Sequence, residues 1–437
     1  MEVERISEML IKPSSSTPPH LRTYKISLLD QFMPPIYIPI ILFYPNQLLP
    51  NNTSLLLKQS LSETLTRFYP LAGKIKDDHL IDCNDEGSYY VNARVNNISL
   101  SDYLNPSDPT PTLHKLLPKQ VRLQEASPGS YVSMIQETRF RCGGIAIGVQ
   151  FSHMAMDGVA VASFLKTWAK VANKSVEAAH VLPYFDAVSV FPHYDEFPRE
   201  VMLSSNKLLM RLGKVVTKRF MFEPSSLELL KVKATSSSVE NPTRVEVVSA
   251  LLCKSMKGIH VNKTMALTVS VNLRTRANPP FPECSMGNIL WPTTAMLPNE
   301  TEVKSLVESI RGTIRKIDSE SVKNIQGIGG FVKLASHMSK ELGSGKSLEH
   351  VVCTSWCNFG LYGVDFGWGK PLWVSCAGSE SNSEAPYFNS IVLMDAKMEK
   401  GIEAWVYMDE DELSLMEKDE NLLAYASVNA SPLKHGL

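Results

Sequence analysis

Residues 150–158 read Gln-Phe-Ser-His-Met-Ala-Met-Asp-Gly, and His153 and Asp157 among them have the types and spacing that can do chemistry. An imidazole titrates near neutrality, at about 6.5, so His153 can take a proton from a hydroxyl at physiological pH. An apolar run that reads as a buried strand precedes it and a helical pattern follows, which places the pair at a strand-to-helix turn. Gly158 eases that turn and lets another molecule approach the backbone. A His-x-x-x-Asp alone arises by chance in many chains, and the competing reading is a structural histidine.

A second group lies about two hundred residues on: Asp365-Phe366-Gly367-Trp368-Gly369-Lys370-Pro371. Two glycines, two aromatics and a proline in seven residues describe one rigid turn. Its Asp-Phe-Gly also occurs in protein kinases, but no Gly-rich phosphate loop, V-A-I-K strand or H-R-D loop accompanies it, so that reading fails. The seven cysteines, Cys83, Cys142, Cys253, Cys284, Cys353, Cys357 and Cys376, are odd in number and scattered, and are expected to be free thiols. Cys353 and Cys357 approach ligand spacing without a second Cys/His pair, so no metal is expected. The other histidines sit among polar or loop residues, where structural or surface roles are the default.

The elements that must position these groups are those of an ordinary globular chain, 44% hydrophobic and 20% charged over 437 residues, long enough for two or three domains. A net charge of −1 and no basic run exclude a nucleic-acid-binding face. The charged opening Met1-Glu2-Val3-Glu4-Arg5 is no secretory signal, and the apolar run at 37–44 is too short to span a bilayer, so a soluble cytosolic protein is expected.

Periodicity predicts a helix over 54–68 with Leu57, Leu61 and Leu65 on one face, stopped by Pro70. It predicts strands at 21–27, 38–43, 131–138 and 144–152, a hairpin from the strands near 81–83 and 89–95, and a helix over 158–172 with Val161, Phe164, Leu165 and Trp168 as its stripe. Thr243 with Glu246 reads as a capping box for a helix to Lys257. Late strands at 353–356, 372–376, 390–395 and 402–407 precede a final helix over 409–425. Between 182 and 212 the pattern breaks among Pro183, Pro192 and Pro198, which suggests an interdomain crossover. The expected division is 1–185 with the histidine motif, a crossover loop at 186–214, and 215–437 with the Asp-Phe-Gly-Trp-Gly turn.

Taken together, the two motifs resemble the signatures of the plant BAHD acyl-CoA-dependent acyltransferases, in order and separation. Further matches extend over nearly the whole chain: Leu28-Leu29-Asp30, Tyr69-Pro70-Leu71-Ala72-Gly73-Lys74, Asn272-Leu273-Arg274 followed by Gly287-Asn288, and Thr354-Ser355-Trp356. Lys74 stands where the family usually has arginine. The opening segment, Cys83-Asn84-Asp85-Glu86-Gly87 and Ser355-Trp356-Cys357 are most similar to the alkaloid acetyltransferase branch that includes vinorine synthase.

The resemblance implies an α/β protein of two chloramphenicol-acetyltransferase-like domains, monomeric, with a solvent channel between them and His153 at its centre. It implies no permanently bound cofactor: acetyl-CoA or another acyl-CoA is a co-substrate and a small-molecule alcohol the acceptor, an alkaloid first and a terpenoid second. His153 would be the general base. Asp157 would turn from the channel to pair with Arg274, a structural role in preference to a triad partnership. Thr354 and Trp356 would face the reacting carbonyl, where a hydroxyl or indole N–H could stabilise the oxyanion. Asp365, Phe366, Gly367, Trp368 and Gly369 would be structural. Individual CoA contacts stay unassigned. Two rival classes stay open: an ester or thioester hydrolase using the same base on water, and an idle CoA- or metabolite-binding protein.

Overall fold

The computed structural model describes residues 1–437 apart from 106–107, 120–126, 178–180, 201–209, 262, 300–301, 328, 343–347, 378–383, 399 and 434–437. Two mixed sheets dominate. The first runs β1 (Glu4–Ile11), β6 (Ser88–Val95), β7 (Ser133–Phe140), β8 (Ile145–Ser152), β3 (Tyr37–Tyr44) and β14 (Trp373–Ser375). The second runs β12 (Leu290–Met296), β11 (Thr264–Asn272), β13 (Leu348–Ser355), β16 (Asn389–Asp395), β17 (Ile402–Asp409), β10 (Val215–Phe222) and β18 (Ser427–Val428). A small sheet joins β2 (Thr23–Lys25), β5 (Leu80–Asp82) and β4 (Lys74–Ile75), and β9 (Arg211–Gly213) pairs with β15 (Ala385–Tyr387).

Every residue of β8 is buried, which explains its unbroken apolar run: a central strand covered on both faces has no polar side to show. The helices Thr53–Arg67 and Gly158–Ala172 pack together in the same core, and Leu57, Leu61, Leu65, Val161, Phe164, Leu165 and Trp168 are all fully buried as their spacing predicts. Trp168 fits there because its indole N–H donates to Ser60 Oγ at 3.0 Å, so burying it leaves no orphaned donor. The capping box forms as read: Thr243 Oγ1 accepts from Glu246 N, and the Glu246 carboxylate returns to Thr243 N, at the start of the helix Arg244–Ile259.

Three expectations are corrected. The hairpin does not form, because β5 joins β2 and β4 while β6 pairs with β1 and, in parallel, with β7. The intervening residues are not a tight turn: Asp85 accepts from Thr17 N and Oγ1, and Gly87 at φ +111° brings the chain against the Ile11 carbonyl. The last helix is two, Glu410–Met416 and Glu420–Leu423, each with its own capping acid, Asp409 and Asp419. The expected strand over 21–27 is ordered only as β2, after which Ser27 caps a short helix, Leu28–Gln31.

The chain does not keep its halves apart. β14 pairs with β3, and Phe366, Trp368 and Trp373 belong to the first core, whereas Leu28 and Leu29 sit in the second. Across that seam Arg219, 1% exposed, is held against the faces of Trp373 and Trp405 (5.2 and 5.9 Å to their centroids) and pairs with Glu403 at 3.3 Å. Burial pushes the Glu403 carboxyl up, with Arg219 and the Trp373 N–H acting the other way. Part of the expected crossover, 201–209, lies outside the described residues. Among those described, no helix is long and apolar enough to cross a membrane and no cluster of ligands could hold a metal ion.

Candidate active site

β8 ends at Ser152 and the helix Gly158–Ala172 begins six residues later, so His153 falls on the turn between them. That turn lies where the two lobes meet. The His153 backbone N–H donates to Ile36 O at 2.8 Å, its carbonyl accepts from Asn288 Nδ2 at 2.6 Å, and Met156 bridges to Gly287. Burial lowers the His153 pKa below the ordinary imidazole value, by penalising the cation; its own backbone carbonyl, Asp157, Asn288 and Asp30 pull the other way. A neutral imidazole in such a place is a base ready at neutral pH.

Asp157 does not reach His153. Its carboxylate caps the helix through Ala160 N (2.9 Å), takes Arg274 Nη1 and Nη2 at 2.6 and 3.0 Å, and accepts Ile289 N at 3.1 Å. Both members of the pair are 2% exposed. Arg274 also donates to the carbonyls of Ser285 (2.9 Å) and Gly287 (3.3 Å), which clamps the 285–289 segment of the second lobe to the histidine turn of the first. Four donors on one carboxylate leave it no capacity to orient an imidazole.

Trp356 follows β13, anchored by its N–H on Leu393 O at 2.7 Å. Its indole abuts Gly158: a methyl there would lie 3.3 Å from Cδ1 and Nε1 of Trp356 and 2.8 Å from Cε2 of Phe359. The second lobe therefore supplies a half-buried indole beside the histidine motif. Thr354 lies two residues earlier on β13, half-buried, paired through the strand with Val392.

The Asp365–Gly369 turn sits elsewhere. Asp365 Oδ1 accepts from Gly367 N (2.8 Å) and Gly369 N (2.9 Å), closing the turn on itself with both glycines at positive φ. Phe366 packs on Trp168 (5.0 Å between centroids) and Tyr44 (5.9 Å), and a methyl on Gly367 would meet Asn173, the C-cap of the helix Gly158–Ala172. At 1.5 Å per residue that end is roughly 20 Å from the histidine turn.

Asn288 and Asp30, quoted above only as motif matches, are functional neighbours that sequence reasoning missed. Asp30 is fully buried, and its carboxylate accepts Ser27 N (2.8 Å), Ser27 Oγ (2.7 Å), Asn288 N (2.6 Å) and Asn288 Nδ2 (2.8 Å). The Ser-x-x-Asp spacing of a capping box was visible, and a burial signal at Leu28-Leu29 beside it.

Comparison with known proteins agrees with this geometry. The Transferase family model matches residues 1–423. The chain is 43% identical to epi-neemfruitin B 7-O-acetyltransferase of Melia azedarach and 42% identical to limonoid 7-O-acetyltransferase of Citrus sinensis, each over 99% of this chain and 100% of the relative. The crystal structure of vinorine synthase superposes with a TM-score of 0.81 at 32% identity, covering 98% of this chain and 99% of that one. Matched end to end in sequence and in fold, the chain belongs to the plant BAHD acyl-CoA-dependent acyltransferases, among the vinorine synthase-like acetyltransferases.

Proposed function

We propose that this enzyme transfers an acetyl group from acetyl-CoA to a hydroxyl of an oxygenated terpenoid, with His153 as general base. The observation that carries it is the half-buried imidazole of His153 at the meeting of the lobes, its pKa lowered by desolvation, with Asp157 wholly engaged elsewhere. His153 removes the hydroxyl proton as the oxygen attacks the thioester carbonyl carbon. The C–S bond of the tetrahedral adduct then breaks, and the imidazolium returns the proton to the CoA thiolate. No acyl-enzyme forms. The Trp356 indole N–H, beside Gly158, is the donor best placed to meet the oxyanion, with the Thr354 hydroxyl as its companion.

The acceptor ranking follows the relatives: the limonoid 7-O-acetyltransferases are more similar than stemmadenine O-acetyltransferase of Catharanthus roseus, 36% identical, which moves a terpenoid alcohol ahead of an alkaloid. We also propose a cytosolic monomer divided near 186–214. All seven cysteines are free thiols, as a reducing compartment would keep them, and His153, Asp157, Arg274 and Asn288 come from one chain.

The test is release of free CoA thiol from acetyl-CoA with limonoid and alkaloid alcohols, for the wild type and His153→Ala. Alcohol-dependent release with an acetylated product, reduced about 10²- to 10⁴-fold in the variant, is expected. Release without alcohol would make the protein a hydrolase, and CoA binding without turnover an idle binding protein.

A further inference from the structure

We propose, on the acyl-transfer reading above, that Thr268, Thr294 and His350 form a second acceptor subsite. It binds an oxygen at the far end of a neutral, rigid, polycyclic alcohol whose hydroxyl reacts at His153. The three side chains lie on a wall that the second sheet turns towards the first lobe. Alternate residues of a strand share a face. One face of this sheet, with Leu267, Val269, Trp291, Val351 and Ile391, is packed under the helices Arg244–Ile259 and Val303–Arg315. The first lobe covers the opposite face only in part. On β16 and β17, Met394 and Trp405 are buried in the first core, with Val392 and Tyr407 against it. Towards β13, β11 and β12 that face comes out of cover, and Val352, His350, Thr268, Pro292 and Thr294 are half-buried.

Three strands fix where the wall leads. β11 ends two residues before Arg274, which pairs with Asp157. β12 begins two residues after Asn288, which donates to the His153 carbonyl. β13 ends beside Trp356, which abuts Gly158. All three ends therefore converge on the histidine turn. Thr268, Thr294 and His350 each stand four residues back from such an end, counted from Asn272, Leu290 and Thr354. Four residues of strand span about 13 Å, the order of length of a fused four-ring skeleton.

The chemistry of the wall matches such a ligand. Thr268 faces Thr294 across the antiparallel pair, and its Oγ1 lies 2.8 Å from Thr294 Oγ1 and 2.8 Å from His350 Nε2. A hydroxyl donates once and accepts twice, so Thr268 keeps a position for a ligand. Either threonine can be the donor of the pair, so the cluster can accept from a hydroxyl or donate to a carbonyl. Between the cluster and the histidine turn, Val352 and Pro292 supply an apolar floor. None of the positions on this face from the cluster to the turn, on β11, β12 or β13, is Lys, Arg, Asp or Glu. The phosphates of CoA would find no counter-charge there, whereas a neutral ring system needs none.

The test is calorimetric binding of two probes to wild type and Thr268→Val. Dehydroepiandrosterone carries a hydroxyl and a ketone at opposite ends of its fused rings, and its analogue lacking the ketone is the control. Wild type should bind the ketone alcohol about tenfold more tightly, the upper range for one hydrogen bond, and Thr268→Val should bind both alike. With acetyl-CoA present, the KM for the ketone alcohol should rise about tenfold in the variant, while the KM for acetyl-CoA stays. Cross-strand threonines also stabilise sheets without any ligand. A variant with a lowered melting temperature and an intact preference would show that role alone and overturn the proposal. Equal binding of the two probes by wild type, or binding of neither, overturns it too, as does a raised KM for acetyl-CoA alone. Should Thr268→Val fail to fold, Thr294→Val replaces it and the wild-type comparison still decides. Binding needs no turnover, so failure of acyl transfer in the thiol assay is separable from failure of this proposal.

Discussion

At the residue scale, the pair Asp157–Arg274 is worth more to shape than to chemistry. Removing one partner strands a buried charge, so Arg274→Ala should lower stability by about 3–5 kcal/mol, read by urea denaturation. A double variant, Asp157→Asn with Arg274→Met, should recover part of that loss, since no full charge is then left alone. His153 makes a separate prediction. Burial depresses its pKa, so the neutral base persists to lower pH, and the acid limb of kcat/KM should fall below about 6.5, the ordinary imidazole value. The stability linkage has the matching sign: below about 6.5 the unfolded chain binds the proton and the fold resists it, so this contribution is complete above that pH and is lost as pH falls through the folded value. Of the site, the turn that carries His153 was legible because a His-x-x-x-Asp-Gly after an apolar strand is local. The partnership of Asp157 was legible only by resemblance, since i, i+4 spacing equally suggests a triad. The link from His153 to Asn288 was not legible from spacing at all, because 135 positions separate them.

At the scale of elements, the turn between β8 and the helix Gly158–Ala172 is where the lobes exchange contacts, and Gly158 is its tightest point. Gly158→Ala would drive a methyl into Phe359 and against the Trp356 indole. Overpacking of this kind costs about 1–3 kcal/mol, and activity should fall further than stability because the displaced indole lies beside the histidine turn; thiol release against melting temperature checks it. Helices with caps and clear stripes were readable, down to the Thr243–Glu246 box. What failed was pairing: nothing in residues 81–95 says that β5 and β6 leave for different sheets, because the partners that claim them, β1, β2 and β7, are tertiary. The three-residue β14 is too short for any period-2 pattern to reveal which sheet it joins.

For the whole molecule, the buried Arg219–Glu403 pair beside the stacked Trp373 and Trp405 works as a seam. Glu403→Leu should destabilise by about 3–5 kcal/mol by leaving Arg219 unpaired. Because Trp373 then loses its acceptor and the seam its charge balance, the two cores should also lose cooperativity, seen as a broadened thermal transition. The two-lobed α/β plan was legible once the motifs were matched, whereas the crossing of Asp365–Ser375 into the first lobe was not, since it depends on which aromatic core receives Phe366 and Trp373. That crossing bears on how the protein is made. While a ribosome has delivered only the first three hundred residues, β3 has no outer neighbour, and Ile41, Leu42 and Phe43, wholly buried in the finished fold, line an open sheet edge. Unpaired apolar edges are templates for aggregation. The nascent first lobe must therefore wait for residues 373–375 to emerge, and its yield in a cell will follow the speed of translation and the supply of chaperones.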